Sequence, residues 1–235
     1  MSLPLPPAEL RNRVTGTEDP VWFDECGEMT VASFEAALTS IGRCLDDFQS
    51  IYDFGAGCGR LTRWLLKRAP HARVAASDID APAIAWMQRN LPQVDARVNE
   101  GLPPLTFDDQ VFDLVTGFSV FTHLDEDYQD YWLTELHRVT IPGAILLLTV
   151  HGEWNWQDHV EKLPDLIHSR DQLDRTGLLF YTKEGWETLA FPDFYHTTFH
   201  THEYIYRHWS RWFDVLRVLA SGAQPTQDLV VCRHR

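Results

Sequence analysis

The stretch SIYDFGAGCGR, Ser50 to Arg60, constrains this chain more than any other part of it. Ile51, Tyr52 and Phe54 form a short apolar run that reads as a buried strand, and Gly55, Gly57 and Gly59 end it with glycine at alternate positions. Glycine removes side chains where a backbone must turn sharply and where a bound molecule must lie against the main chain. From Arg60 the sequence continues LTRWLLKRA, with Leu61, Trp64, Leu65 and Ala69 at helical spacing. A strand that enters a glycine turn and leaves as a helix has the shape of a nucleotide-type ligand site.

The spacing narrows the ligand. A dinucleotide fold carries G-x-G-x-x-G, and here the pattern is G-x-G-x-G, with Arg60 where the third glycine would stand. Asp53, two residues before the first glycine, is expected to put a carboxylate at the mouth of the site. That charge repels a pyrophosphate and attracts an ammonium or sulfonium, so the ligand is expected to be cationic at this end.

With 235 residues, 44% of them hydrophobic, the chain suits one globular domain with a substantial core. Its longest apolar run, Ala144 to Val150, is far short of the roughly 18 residues a membrane helix needs, and MSLPLPPAEL lacks the features of a signal peptide. These features read as a cytoplasmic protein with no membrane partner. Cys26, Cys44, Cys58 and Cys232 form no C-x-x-C pair, so neither a zinc ribbon nor a disulfide framework is indicated. A net charge of −14 works against the counterion release that drives binding to phosphate backbones, so no nucleic-acid partner is expected.

Taken in order, Leu3 to Pro20 carries four prolines and no sustained period, which predicts an irregular arm. Thr30 is expected to cap a helix whose apolar positions are Phe34, Ala37, Leu38, Ile41 and Leu45. After the glycine turn come a strand over Ala72 to Ser77, a helix from Pro82 to about Leu91, and a strand over Val94 to Val98. A fourth strand follows at Val111 to Thr116, then a helix from Asp125 with Tyr131, Trp132, Leu136 and Val139 on its apolar face. Pro142-Gly143 is expected to end that helix before the fifth strand, Ala144 to Val150. This alternation predicts an α/β fold, doubly wound and mostly parallel, with helices on both faces. His151 to Thr201 reads as an inserted lid, less regular, with its own hairpin from Leu178–Tyr181 and Tyr195–Phe199. A helix over His202 to Trp212 then leads to Phe213–Leu219 and Asp228–Cys232, an antiparallel pair closing one sheet edge in a seven-stranded total.

Candidate site residues fall at the carboxyl ends of the parallel strands, where open α/β sheets bind ligands. Asp78 ends the second strand, where a carboxylate can accept hydrogen bonds from both ribose hydroxyls; a helix N-cap is the plainer role, which Asp80 serves equally well. Ile79 can pack on a planar base. Asn99, Glu100 and Gly101 end the third strand, and either polar side chain can reach a base edge. Phe118, Ser119 and Phe121 line the same edge, and an aromatic face beside a sulfonium offers about 0.5–2 kcal/mol.

Together these segments resemble a class I S-adenosylmethionine-dependent methyltransferase: DFGAGCGR at 53–60, SDID at 77–80, FDLVTGFSVFTHL at 112–124 and ELHRVTIPGAILLLT at 135–149. The resemblance covers about residues 45–150. It implies a Rossmann-like sheet and S-adenosyl-L-methionine as cofactor, with Asp53, Gly55, Ala56 and Gly57 around the methionine portion. It also implies Asp78 on the ribose, Ile79, Glu100 and Gly101 near adenine, and Phe118 and Ser119 flanking the methyl donor. The chain would then be one methyltransferase domain: arm and helix at 1–48, cofactor core at 49–150, lid at 151–201, and last helix with the closing strands at 202–235. TGFSVF stands where base and glutamine methyltransferases carry Asn-Pro-Pro-Tyr or Asp-Pro-Pro-Tyr, a pattern similar to the branch acting on small molecules, sugars and natural products. The implied partner is a small-molecule acceptor methylated on oxygen or nitrogen by direct displacement; the oligomeric state stays open.

A hydroxyl acceptor needs its proton removed, whereas a neutral amine or an ionised phenol does not. His123 and His151, which follow the fourth and fifth strands, are the candidate bases. His196, His200 and His202 form a weaker metal-like grouping without a completing acid. Tyr181, Trp186, Phe191, Phe194 and Tyr195 are read as a lid face over an apolar acceptor, or as a satellite core. Two alternatives remain: a non-catalytic S-adenosylmethionine-binding or interaction module on the same fold, and a dehydrogenase, which Arg60 and Asp53 disfavour.

Overall fold

The chain is described here from a computed structural model covering residues 3–182, 194–224 and 226–235. Five parallel strands come first: β1 (Ser50–Phe54), β2 (Arg73–Asp78), β3 (Val94–Val98), β4 (Phe112–Gly117) and β5 (Thr140–Val150). A separate hairpin, β6 (Leu178–Tyr181) against β7 (Thr197–His200), precedes β8 (Phe213–Ala223) and β9 (Gln227–His234). The main sheet has seven strands in the order β3-β2-β1-β4-β5-β9-β8. β9 runs antiparallel to both β5 and β8, so it alone is reversed. The order turns back at β1, leaving a crevice between the carboxyl ends of β1 and β4, the place where doubly wound sheets take ligands.

Eight α-helices accompany the strands among the described residues: α1 (Ala8–Thr15), α2 (Pro20–Thr39), α3 (Thr62–Arg68), α4 (Ala81–Asn90), α5 (Glu126–Val139), α6 (Glu153–Lys162), α7 (Arg170–Thr176) and α8 (His202–His208). None of them is long and apolar enough to cross a membrane. Side chains alternate faces along each strand. Ile51, Leu114, Ile145, Leu147 and Val231 therefore point to one side, against Val31, Phe34 and Leu38 of α2 and Leu65 of α3. Tyr52, Phe54, Val115, Leu146, Leu148 and Val230 point to the other, against Trp132, Leu133 and Leu136 of α5, Ile205 of α8, and Trp209. Both faces being covered explains why these strands read as continuous apolar runs.

Several expectations need correcting. The proline-rich arm is not irregular throughout: Ala8–Thr15 is helical, starts after Pro7 and stops at Gly16, whose φ of 71° suits the left-handed C-cap. Thr30 caps nothing. α2 begins ten residues earlier, where Asp19 accepts from the Val21 N–H and Pro20 takes the first helical position; Thr30 is buried inside the helix with its hydroxyl on the Cys26 carbonyl. α5 stops at Val139, and Pro142-Gly143 lies within β5 instead of ending the helix. Tyr131 is exposed, not part of that helix's apolar face. The 151–201 connection is more regular than expected. It holds α6 and α7, which with the hairpin bury Trp156, Leu166, Leu173, Leu179 and Phe199 in a satellite core. Trp186, Phe191 and Pro225 lie outside the described residues.

One packing contact at the sheet's ligand end is unusually close. A Cβ on Gly152 would lie 1.8 Å from Asp228 Oδ2, on a buried carboxylate that also accepts from His202 Nε2 at 2.6 Å and, through Oδ1, from the Ser221 N–H. Neither group can yield without losing a hydrogen bond. Gly152→Ala is expected to lower unfolding free energy by about 1–3 kcal/mol, the range for overpacking. Urea unfolding followed by tryptophan fluorescence checks this.

Candidate cofactor and acceptor site

A cavity of about 1000 Å³ opens over the carboxyl ends of β1, β2 and β4, lined among others by Gly55, Gly57, Arg60, Asp78, Ile79, Asn99, Gly101, Phe118 and Ser119. The glycine turn forms its floor: Gly55 and Gly57 have φ of 70° and 55°, a conformation that residues with a Cβ rarely adopt. A Cβ on Gly55 would also come within 2.3 Å of Val120 Cγ2.

Asp78 is placed as expected and is held in position. Its Oδ2 accepts from the Gly57 N–H at 2.7 Å and its Oδ1 from the Asp80 N–H at 2.8 Å. Each oxygen keeps a lone pair for an incoming hydroxyl. Burial raises the Asp78 pKa, opposed by those two backbone donors. The cap role falls to Asp80, which accepts from the Ala83 N–H at the start of α4. Ile79 is exposed on the cavity wall. Gly101 faces the Phe194 ring, which stacks on Tyr128 at 4.8 Å, while Trp132 Nε1 donates to the Gly101 carbonyl.

Three expected site residues are elsewhere. Asp53 is not at the mouth: it is 1% exposed beneath the turn, accepting from Thr62 Oγ1 at 2.6 Å and Thr116 Oγ1 at 3.1 Å. Burial pushes its pKa up to about 6, with the two hydroxyls and nearby Arg60 acting against that shift. Ala56 is buried in a core with Cys58, Val74 and Met87 and does not line the cavity. Glu100 is exposed and also outside the lining; of the two polar candidates at the end of β3, Asn99 reaches the cavity, its Oδ1 accepting from Ser77 Oγ.

In the glycine pattern Arg60 stands only as a missing glycine. It is buried and lines the cavity, its guanidinium 4.7 Å from the centre of the Phe118 ring, with Nε lacking a hydrogen-bond partner among the described residues. It therefore occupies the ring face that was assigned to a sulfonium. Asn12, Arg13, Val14 and Gly16 also line the cavity, and Arg13 pairs with Asp80 at 3.1 Å. The signal for this helix was present in Leu10 and Val14 at helical spacing before Gly16.

At the β4 end, Ser119 holds a φ of 61°. Its N–H donates to Thr149 Oγ1 at 2.7 Å and its hydroxyl meets Gln227 Nε2 and Thr122 Oγ1, each at 3.1 Å. His123 lies behind it: Nδ1 is 2.7 Å from the His196 carbonyl, Nε2 is 3.5 Å from Ser119 Oγ, and the ring stacks on Tyr195 at 3.9 Å. A carbonyl only accepts, so Nδ1 carries the hydrogen and Nε2 the lone pair. His151 is buried 6.0 Å from His123, ring centre to ring centre, with Nδ1 lacking a partner among the described residues. Neither imidazole is in the cavity lining. Burial lowers the His123 pKa to about 4 and that of His151 well below the usual value.

The metal-like grouping does not form. His200 faces Gln129, His202 faces Asp228, and among the described residues no three His, Cys, Asp or Glu side chains converge on a metal-sized space. Of the aromatic lid face, Phe194 and Tyr195 reach the cavity, whereas Tyr181 packs on the satellite core.

The fold is of the class I methyltransferase type. Residues 51–143 match the family model described as a methyltransferase domain. The fold is shared with an S-adenosylmethionine-dependent methyltransferase from Methanosarcina mazei (20% identity, TM-score 0.58, covering 80% of this chain and 93% of that one). It is also shared with the N-methyltransferase NodS from Bradyrhizobium japonicum, solved with S-adenosylhomocysteine (13% identity, TM-score 0.58, 97% of each chain). The mitomycin 7-O-methyltransferase MmcR is similar over 86% of this chain and 54% of its own (15% identity, TM-score 0.54). The fold is that of the S-adenosylmethionine-dependent methyltransferases, and the methyltransferase-domain match lies over its cofactor-type core. The donor set suits S-adenosylmethionine: a two-oxygen acceptor at Asp78, a cation at Arg60 whose Nε has no partner among the described residues, and a floor without side chains.

The buried histidines make stability depend on acid. His123 and His200, at about 4 and about 3, and His151 are neutral when folded, whereas in the unfolded chain histidine titrates near 6.5. Because the folded values are depressed, this stability is complete above about 6.5 and lost as pH falls through 4 toward 3. Scanning calorimetry should show the melting temperature falling over that window, less steeply in a His200→Gln variant.

Proposed function

We propose that the enzyme methylates a hydroxyl of a small-molecule acceptor, with Asp78 and Arg60 holding the donor and His123 taking the acceptor's proton. The donor supplies a methyl group on a sulfonium, open to direct displacement. Asp78 would bind the ribose hydroxyls, Asn99 and Ile79 the adenine, and Arg60 the carboxylate of the methionine portion; Gly55 and Gly57 let the chain of that portion lie on the backbone. Alignment of the two reactants is worth roughly 7–11 kcal/mol of barrier, which a floor and walls made of strand ends can supply.

One observation carries the hydroxyl reading. The His123 ring is fixed by its Nδ1 hydrogen bond to the His196 carbonyl, so the basic Nε2 lone pair is aimed at Ser119 on the cavity wall. A neutral amine acceptor would not need that lone pair. His151, with no donor or acceptor fixing its Nδ1 among the described residues, is the weaker base candidate.

Calorimetry with S-adenosylmethionine is expected to give micromolar-range binding. Asp78→Ala should weaken it by about tenfold to a hundredfold, the loss of a charged hydrogen-bond acceptor worth about 1.5–3 kcal/mol. Absence of binding to the wild-type protein would refute the donor site, and binding without methyl transfer to any of a panel of hydroxyl and amine acceptors would favour a non-catalytic module. In transfer assays with methyl-labelled donor, His123→Ala should lower kcat by about 10²–10⁴ on a hydroxyl acceptor and leave donor affinity nearly unchanged; an unaltered rate would remove His123 from the reaction.

A further inference from the structure

His123 is outside the cavity lining and Ser119 is on it. The Ser119 hydroxyl, 3.5 Å from Nε2 of His123, is a cavity-wall group that can hand a proton from a molecule in the cavity to that nitrogen. That hydroxyl is set between defined neighbours. Gln227, 8% exposed on β9, donates its amide N–H to Ser119 Oγ at 3.1 Å and fills one lone pair. His123 Nε2, 3.5 Å away, can only accept, because Nδ1 holds the ring hydrogen against the His196 carbonyl. Thr122 Oγ1 at 3.1 Å takes the remaining place, which an acceptor hydroxyl would share or claim. The backbone supports the arrangement: Ser119 is held at a φ of 61° with its N–H on Thr149 Oγ1. A non-glycine residue kept in the left-handed region at a ligand site is strain that the surrounding contacts must maintain.

We propose that Ser119 is a catalytic proton relay, oriented by Gln227, that carries the acceptor's hydroxyl proton to His123. This rests on the hydroxyl-methylation reading above and adds the route. The acceptor O–H gives its proton to Ser119 Oγ while the Ser119 proton moves to His123 Nε2. The acceptor oxygen forms its bond to the methyl carbon as the carbon–sulfur bond breaks, and that electron pair stays on sulfur. Charge balances: the positive charge of the sulfonium ends on the imidazolium, and no further reactant is needed. Gln227 is a positioning residue, since it touches Ser119 and is not part of the cavity lining.

The chain also explains a mismatch in basicity. Burial leaves His123 a weak base, with Tyr195 stacked on it, His151 at 6.0 Å and the charge of His159 opposing its protonation. A weak base accepts a proton efficiently only when transfer is concerted with methyl transfer, and a prealigned hydroxyl provides for that.

The test uses ¹⁵N-histidine NMR on the full-length enzyme with saturating S-adenosylhomocysteine, followed by transfer assays with phenol and with 4-nitrophenolate as probes. In wild type the His123 Nε2 resonance should show an accepted hydrogen bond. Ser119→Ala and Ser119→Gly should both shift it to the position of a free lone pair, and Gln227→Leu should shift it partway. Ser119→Gly serves as the folding control, because glycine adopts this φ without strain. An Nε2 resonance identical in wild type and both Ser119 variants would overturn the relay. In transfer, Ser119→Gly should lower kcat for phenol by about 10²-fold, with little change in KM and little effect on 4-nitrophenolate, which brings no proton. Equal losses on both probes would also overturn it. If neither probe is methylated, the NMR comparison decides alone. Calorimetric titration of wild type and each variant with S-adenosylhomocysteine reads the donor site separately, so failure of the relay is distinguishable from failure of the donor site.

Discussion

The ligand end of this molecule depends on one buried carboxylate. Asp53, the residue before the end of β1, lies inside the protein and accepts one hydroxyl from Thr62 at the start of α3 and another from Thr116 near the end of β4. Those two bonds fasten the strand before the glycine turn to the helix after it and to the neighbouring strand. An ionised carboxylate costs several kcal/mol to bury, and hydrogen bonds to it return about 1.5–3 kcal/mol each. The turn is therefore rigid for a reason beneath it. Above it, the Gly57 N–H is free to bond Asp78, which ties the turn to β2.

From that anchor the cavity is built out of strand ends, one function to each. β1 supplies the bare floor, β2 the carboxylate, β3 Asn99, and β4 the strained Ser119. The reversed strand β9 then brings Gln227 to Ser119 and Asp228 to His202, two contacts that an all-parallel sheet would lack at this edge. The pairing of Val150 with Asp228 sets Gln227 beside the end of β5, where His151 stands. The hairpin plays a similar part, since its β7 end presents the His196 carbonyl that orients His123. β9 and the hairpin thus complete the contacts around Ser119 and His123.

The donor side was readable because its requirements are local. A glycine turn, a carboxylate at the next strand end and apolar runs are each contained in a few residues, and β3 appears with the boundaries that its pattern predicted. The errors came where partners are distant in sequence. Asp53 looked like a mouth residue because the chain alone does not reveal Thr62 and Thr116 closing over it. Arg60 looked like a vacancy in a glycine pattern, although it turns back across Phe118 into the cavity. Asn99 and Glu100 were equivalent on paper, and burial separates them because successive side chains at a strand end point in opposite directions.

By itself, then, the amino-acid order determined the alternation of strands and helices, the burial of both sheet faces, the glycine floor and the carboxylate at the end of β2, because periodicity and turn chemistry act over fewer than about ten residues. Tertiary structure decided which charged groups meet solvent, which face a ligand and which neutralise one another. It also decided the surroundings of Ser119: the Gln227, Ser119, Thr122, His123 and His196 contacts join positions up to 108 residues apart, and only the packing of β9 and the hairpin against the end of β4 brings them within hydrogen-bonding range.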